Sequence, residues 1–282
     1  MFLRVQAHLS YNAAYRHAKR RMKESGEFGT EMYPKDLSSL LDEKAIAESV
    51  DVGVIDIPVD QIVGVADCVE EARYTAGFLP VSPTKSGYAE HWRELYVNYM
   101  EDKKFLSRLY CYEYLGKFYV VDGKKRVSIL KSLGVSMTPA YVKRILPIAS
   151  EEKPIQLYYE FLEYFKLTML YQVSFSQLGS FKKLQKAMGH DELQVWNDEE
   201  RAMVLRELER IDSALESAFG GYMCVTPADA LLILLEEYSF KQIHRMATVA
   251  MSDYFQKKWK KLYGIYSADV NEMEPLNAQN AS

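Results

Sequence analysis

The chain has 282 residues, with 48% hydrophobic and 26% charged side chains and a formal net charge of −4. That composition excludes wholesale disorder and an all-over polycation that coats nucleic acid by charge alone. No apolar run nears the roughly 18 residues of a membrane span, residues 1–10 lack a signal-peptide core, and three scattered cysteines (Cys68, Cys111, Cys224) fit neither a disulfide framework nor a zinc ribbon, so a cytoplasmic protein without a membrane partner is expected.

The charge is unevenly spread. Residues 1–26 carry six cations and one acid, and 103–144 carry ten Lys and Arg against two acids. Segments 27–102 and 150–237 each hold sixteen acids, against five and eight cations. A concentrated basic surface is therefore expected on an acidic chain, with 103–144 the place to look.

In chain order, residues 11–24 read as a basic helix with Ser10 as N-cap and Gly26 as its stop. A turn-rich loop over 26–35 precedes a short amphipathic helix near Leu37–Ala47. Val52–Val59 is rich in β-branched residues and reads as a strand. Tyr88–Asp102 places Trp92, Leu95, Tyr96 and Tyr99 on one helical face. Leu109–Tyr114 and Phe118–Val121, joined by Leu115-Gly116-Lys117, read as a hairpin. Lys124–Leu133 forms a helix closed by Gly134, and Pro139–Val142 forms another strand. After Pro147 the strand signals end. Helices are expected at 154–171, 174–189, 198–219, 228–237 and 240–263, the fourth opened by Thr226-Pro227 with Asp229 and buried through Leu231–Leu235. The fold class is α+β: a helical arm and linker (1–50), a small α/β domain (51–148), an all-helical domain (149–265) and a disordered tail (266–282).

The segment Val120-Val121-Asp122-Gly123-Lys124-Lys125-Arg126-Val127 carries the functional argument. A strand delivers Asp122 and Gly123 to a helix whose first turn holds three cations. Each cation opposes the positive end of the helix dipole, and the three repel one another. An anion removes both penalties, because free first-turn N–H groups and three cations together make a phosphate site. Gly123 lets the backbone approach such a ligand. Asp122 is open to three roles: helix cap, holder of a metal on a nucleotide, or base. The alternative is a solvated basic turn with Asp122 as a plain N-cap. The segment is not a Walker A loop, since Phe118 stands five residues before Gly123 and Lys125 follows Lys124.

The run Phe118–Val127, followed by Leu133-Gly134 and Pro139-Ala140-Tyr141-Val142, resembles the ParB/sulfiredoxin superfamily. Members carry a strand, a Gly-x-x-Arg turn, a helix ending in Leu-Gly and an Ile-Pro-Ala-x-Val strand. Ile57-Pro58-Val59-Asp60-Gln61-Ile62 resembles the first strand of ParB-like N-terminal domains. The resemblance spans about 57–145 and implies a ParB/sulfiredoxin-like fold with a nucleotide or nucleic-acid phosphate pocket at Gly123, Lys124, Lys125 and Arg126. It adds Arg73, which lies where the family often has an arginine facing that pocket. The superfamily includes DNA- and CTP-binding partition proteins, ATP-using sulfiredoxins and a free-serine kinase. Lys124 stands where sulfiredoxins have their cysteine, which argues against sulfinic-acid reduction. Lys124 and Ser128 replace the Glu and second Arg of partition proteins, and no Glu-Asn-x-x-Arg segment follows Val142, which argues against a CTP clamp.

Outside that segment, Arg16, Lys19, Arg20, Arg21 and Lys23 suit a DNA backbone, with Tyr11 and Tyr15 available to stack on bases; the plainer reading is a solvated helix packed by one edge. Residues 239–261 and 174–189 have a loose helix-turn-helix texture, the second with Gly179 at the turn; a single closing helix is the alternative for the first. The five histidines do not pair at metal-ligand spacing, so no metal site is expected. The leading expectation is a DNA-associated regulator of transcription or partition type, with DNA, a nucleotide and a second copy of the chain as partners. The alternative is a nucleotide-dependent phosphotransferase or NTP hydrolase, with Asp122 catalytic and a nucleoside triphosphate with Mg as cofactor. A third is a degenerate module whose helical domain binds another protein.

Overall fold

A computed structural model describes residues 2–28, 32–67, 73–102, 109–191, 193–220 and 225–264. Cys68, Cys224 and the expected tail lie outside these residues. The chain divides into two compact units, Met1–Ala149 and Ser150–Ser282. No helix among the described residues is long and apolar enough to cross a membrane.

The first unit is mixed α/β. It runs α1 (Phe2–Phe28), β1 (Lys35–Asp36), α2 (Leu37–Leu40), a 3-10 turn at Glu43–Ala45, β2 (Ile46–Pro58), β3 (Ile62–Val65), α3 (Gly87–Glu101), β4 (Leu109–Tyr114), β5 (Lys117–Asp122), α4 (Lys124–Ser132) and β6 (Met137–Pro147). The six strands form one sheet in the order β1-β3-β5-β4-β6-β2. The β4–β5 hairpin turns at Leu115 and Gly116, both at positive φ (49° and 75°), the backbone a tight two-residue turn needs. Along β4, residues 109, 111 and 113 are buried and 110, 112 and 114 half-buried, the alternation of a sheet with one face fully covered. Glu113 is the polar member of the covered row. Its carboxylate pairs with Arg144, its register partner on β6, and accepts the Gly116 N–H at 2.8 Å, so the buried charge is compensated. On the other face Leu37, Tyr119 and Ile145 make a small core against Leu41, Tyr112 and Tyr114.

The second unit is helical: α5 (Lys153–Thr168), α6 (Ser180–Ala187), α7 (Asp198–Phe219), α8 (Pro227–Leu235), α9 (Phe240–Arg245) and α10 (Thr248–Lys257). Asn197 and Glu200 form a capping box on α7, and Thr226 Oγ1 accepts the Asp229 N–H at 3.0 Å to cap α8. The run Ala230, Leu231, Ile233 and Leu234 is buried.

Several boundaries differ from the sequence expectation, each for a tertiary reason. Ser10 is not an N-cap; it lies inside α1, where its hydroxyl donates to Tyr96 Oη on α3 at 3.2 Å. Ala7, Tyr11, Ala14 and Ala18 form a buried i, i+4, i+7, i+11 stripe that packs α1 onto α3 and carries it upstream of residue 11. Gly26 does not stop the helix, a glycine costing only about 1 kcal/mol relative to alanine. The helix expected to Ala47 ends at Leu40, because Ile46 already joins β2, whose long antiparallel pairing with β6 lengthens both strands beyond their β-branched cores. Within 174–189 only α6 forms, and Gly179 is its N-cap at φ 76° rather than a turn between two helices. The single helix expected at 240–263 breaks at Met246–Ala247, leaving two short helices in the stretch whose other reading was a loose helix-turn-helix texture over 239–261. There Arg210 of α7 donates to the His244 and Met246 carbonyls while paired with buried Glu207. A cation from another helix thus caps α9, in addition to His244 and Arg245 in its own last turn.

Candidate phosphate-binding site

β3 runs parallel to β5, so both strands deliver their carboxyl ends to one edge of the sheet. Asp122 is the last residue of β5, and Asp67 lies two residues beyond β3. The α4 N-terminus opens at that edge, a place where α/β sheets commonly bind ligands. Residues 68–72 and 103–108, which flank it in sequence, lie outside the described residues.

Gly123 is the N-cap of α4 at φ 107°, with no side-chain cap. The glycine is required by its own backbone and its neighbours. A Cβ there would meet Leu109 Cδ2 at 2.5 Å and Arg126 Nε and Cζ at 3.1 and 3.2 Å. The space above Gly123, expected to admit a ligand, is thus taken by Leu109 and the Arg126 guanidinium. Asp122 does not cap the helix either. It reaches over the turn and accepts from Arg126 Nη2 at 2.6 Å, with the Asp122 side chain 76% exposed and that of Arg126 12%.

The other two cations are also engaged. Lys124 Nζ lies 3.5 Å from Asp67 Oδ1, and Lys125 Nζ sits 5.3 Å from the Tyr88 ring centre. Two carboxylates and one aromatic face therefore offset the repulsion that the sequence concentrates in this turn. Asp67 and Tyr88 were invisible to sequence reasoning, because strand pairing and α3 packing bring them in. Both acids of the turn are exposed, while the cations they pair with are each only 12% exposed, so it is the carboxylates that are open to exchange with another anion.

Arg73 is exposed, and its carbonyl accepts the Val81 N–H at 3.0 Å. Its neighbour Tyr74 is buried edge-on against Tyr88, the ring beneath Lys125. Ser128 is wholly buried and accepts the Trp92 indole N–H at 3.1 Å. It packs the domain and holds no anion. Cys111 lies behind the site, where burial pushes its thiol up to about 12.

On α1, Arg16, Lys19, Arg20 and Lys23 form an exposed i, i+3, i+4, i+7 row opposite the buried alanine stripe. Arg21 is exposed but off that row. Arg20 lies 3.7 Å from Glu24, and Lys19 Nζ sits 5.7 Å from the Tyr15 ring. Further toward the N-terminus the same face is apolar and exposed at Phe2, Val5 and Leu9. Tyr11 is not available to stack on bases. It is fully buried, donates to the Ser82 carbonyl at 2.8 Å and packs edge-on to Trp92, and this burial raises its hydroxyl to about 12. Trp92 therefore ties both basic elements to α3, touching Tyr11 of α1 and Ser128 of α4.

Among the described residues no three His, Cys, Asp or Glu side chains gather as a metal-ligand set. No protein-family model matches the chain, and no curated protein matches it in sequence.

Proposed function

We propose that the chain is a DNA-associated regulator with a ParB-like first domain, which grips the sugar–phosphate backbone through the cationic row of α1 and the first turn of α4. The observation that carries the reading is the α1 row: four exposed cations on one helical face, opposite the stripe that anchors the helix. The α4 turn supports it. Its N–H groups have no side-chain cap, and its cations rest on exchangeable acids that a phosphate can replace. Arg73, one residue from the ring system beneath Lys125, belongs to the same proposed contact.

The test is duplex binding by fluorescence anisotropy at several salt concentrations. Neutralising four to seven phosphates gives a log–log slope of about −3.6 to −6.3, so affinity should fall roughly 10²- to 10⁴-fold between 50 and 200 mM salt. Arg16→Glu with Arg20→Glu should weaken binding and flatten the slope. Salt-indifferent binding would sink the proposal. Mg-dependent nucleotide turnover abolished by Asp122→Asn would replace it with the phosphotransferase reading, in which Lys124–Arg126 hold the phosphates and Asp122 serves as base or metal ligand.

A further inference from the structure

We propose that the open edge of the sheet at β2 binds a basic peptide segment, which adds to it as a further strand. β2 is 13 residues long and ends the sheet beyond β6, and no described strand pairs with its outer side. Alternate N–H and C=O groups of such a strand point away from its one partner and form a template for an extended chain. Residues 47–51, 54 and 56 are exposed, among them the apolar Val50 and Val54 at 37% and 42%.

Edge strands are commonly blunted by lysine, by proline or by bulges. β2 holds no lysine, and its proline is its last, buried residue. Register shifts fall at Ile46/Glu48 and Asp51/Gly53, and at the second the Gly53 N–H donates to Asp51 Oδ1 at 2.9 Å. Past that bulge Gly53–Pro58 pairs with residues 142–137 in unbroken register, a stretch as long as a typical strand.

Charge selects the occupant. β2 carries Glu48, Asp51 and Asp56 and no Lys or Arg. Lys143 stands opposite Asp51 in register and offsets it, while Arg144 is committed to Glu113. Glu48 and Asp56 are exposed and have no ion pair among the described residues. A second copy of this edge would bring only acids to the pairing, which disfavours self-association, whereas a segment with Arg or Lys on alternate residues brings cations. The sheet face beside the edge adds to that preference. Asp51, Val54 and Asp56 share the face of Tyr141, because Lys143, Tyr141 and Pro139 are their register partners. Tyr110 stacks on one side of the Tyr141 ring at 5.2 Å and 13°, both rings are half-buried, and the Tyr141 hydroxyl donates to Asp51. A long cation of the added strand, lying across Val54, meets an aromatic ring bordered by carboxylates, and both attract it. None of these residues belongs to the cationic row or turn of the DNA reading.

The experiment is a titration of the full chain, by fluorescence anisotropy at about 150 mM KCl, with a labelled, capped peptide of alternating arginine and valine. Two control peptides accompany it. One has glutamate for arginine; the other is N-methylated at every residue, which keeps the charge and removes the backbone donors. Saturable binding of the arginine peptide is expected, with the glutamate peptide silent and N-methylation weakening affinity about tenfold or more. Glu48→Lys with Asp56→Lys changes two exposed side chains and should weaken the arginine peptide about tenfold, with the fold checked by circular dichroism. No saturable binding, equal binding of the glutamate peptide, indifference to N-methylation, or unchanged affinity in the charge-reversed variant would each overturn the proposal. A dimer in sedimentation velocity that Val54→Lys breaks, without peptide binding, would assign the edge to a second copy of the chain instead.

Discussion

Replacing Asp122 by Asn should tighten DNA binding, and the sign of that effect separates an anion-accepting turn from a catalytic one. Asp122 is the resting counter-ion of Arg126, at 2.6 Å, and its side chain is 76% exposed. A phosphate on the α4 turn must compete with that carboxylate and sit beside it. At about 5 Å in a water-like environment two unit charges repel by about 0.8 kcal/mol, and somewhat more near the protein surface. Removing the carboxylate therefore favours phosphate by about 1 kcal/mol, close to fivefold in affinity. It also releases Arg126 to make one further contact, which steepens the salt slope by about 0.9. Asp122→Asn should also cost stability, by about 1 kcal/mol or more, because Arg126 is only 12% exposed and loses its charged partner. Anisotropy titrations of a labelled duplex at 50, 100 and 200 mM KCl measure both quantities, and the steepening should disappear when Arg126→Ala is added. Weaker binding in Asp122→Asn, or a steeper slope that survives loss of Arg126, would refute the reasoning.

Trp92→Phe and Ser128→Ala should each destabilise the first domain by about 1–3 kcal/mol, because each leaves a buried partner of the 3.1 Å bond unpaired. The double variant should be more stable than additivity allows, by about 0.5–2 kcal/mol in urea unfolding; strict additivity would show that the bond is not made. Lys131 donates to the Ile62 carbonyl at 2.6 Å, and burial lowers its ammonium from 10.5 to about 8. Between those values the unfolded chain binds more protons than the folded one, so this group makes stability rise from pH 8 toward 10.5. Lys131→Met should remove that rise, and identical pH profiles for the two proteins would contradict it. Cys111 is fully buried and its thiol is raised to about 12, so its peptide should resist alkylation in the native protein and label only on unfolding, as read by mass spectrometry.

Periodicity and turn chemistry made most elements legible from the chain alone. Trp92 and Tyr96 on one face of α3, the Leu115-Gly116 hairpin, and Thr226 with Asp229 at the start of α8 are all local signals, and each element forms where they place it. What escaped was non-local. The break between α9 and α10 depends on Arg210, more than thirty residues upstream. The full length of β2 and β6 depends on their pairing with each other. At the site, the cation cluster of α4 was evident, but its partners were not. Asp67 reaches Lys124 only because β3 lies parallel to β5, and Tyr88 reaches Lys125 only because α3 packs beside α4. Tyr11 misled for a related reason: an aromatic on a basic helix fits a stacking role until the buried stripe of that helix is known.

The internal acids bear on which ligand the turn suits. A single phosphate must displace Asp122 and Asp67 and receives three cations, two of which were already paired with those acids. The net gain from one such exchange is small, since one anionic partner of the half-buried Lys124 and Arg126 is traded for another. A polyanion is different. On the proposed reading it would engage the α1 row and the α4 turn together, and each neutralised phosphate would release counter-ions whose entropy adds to the total. Once one element is bound the second binds intramolecularly, because α1 and α4 are both fixed to α3 through Trp92. The resting acids thus weaken a mononucleotide more than a duplex. On the proposed reading they act as a filter for length, and inorganic phosphate should compete poorly with DNA even at high molar excess.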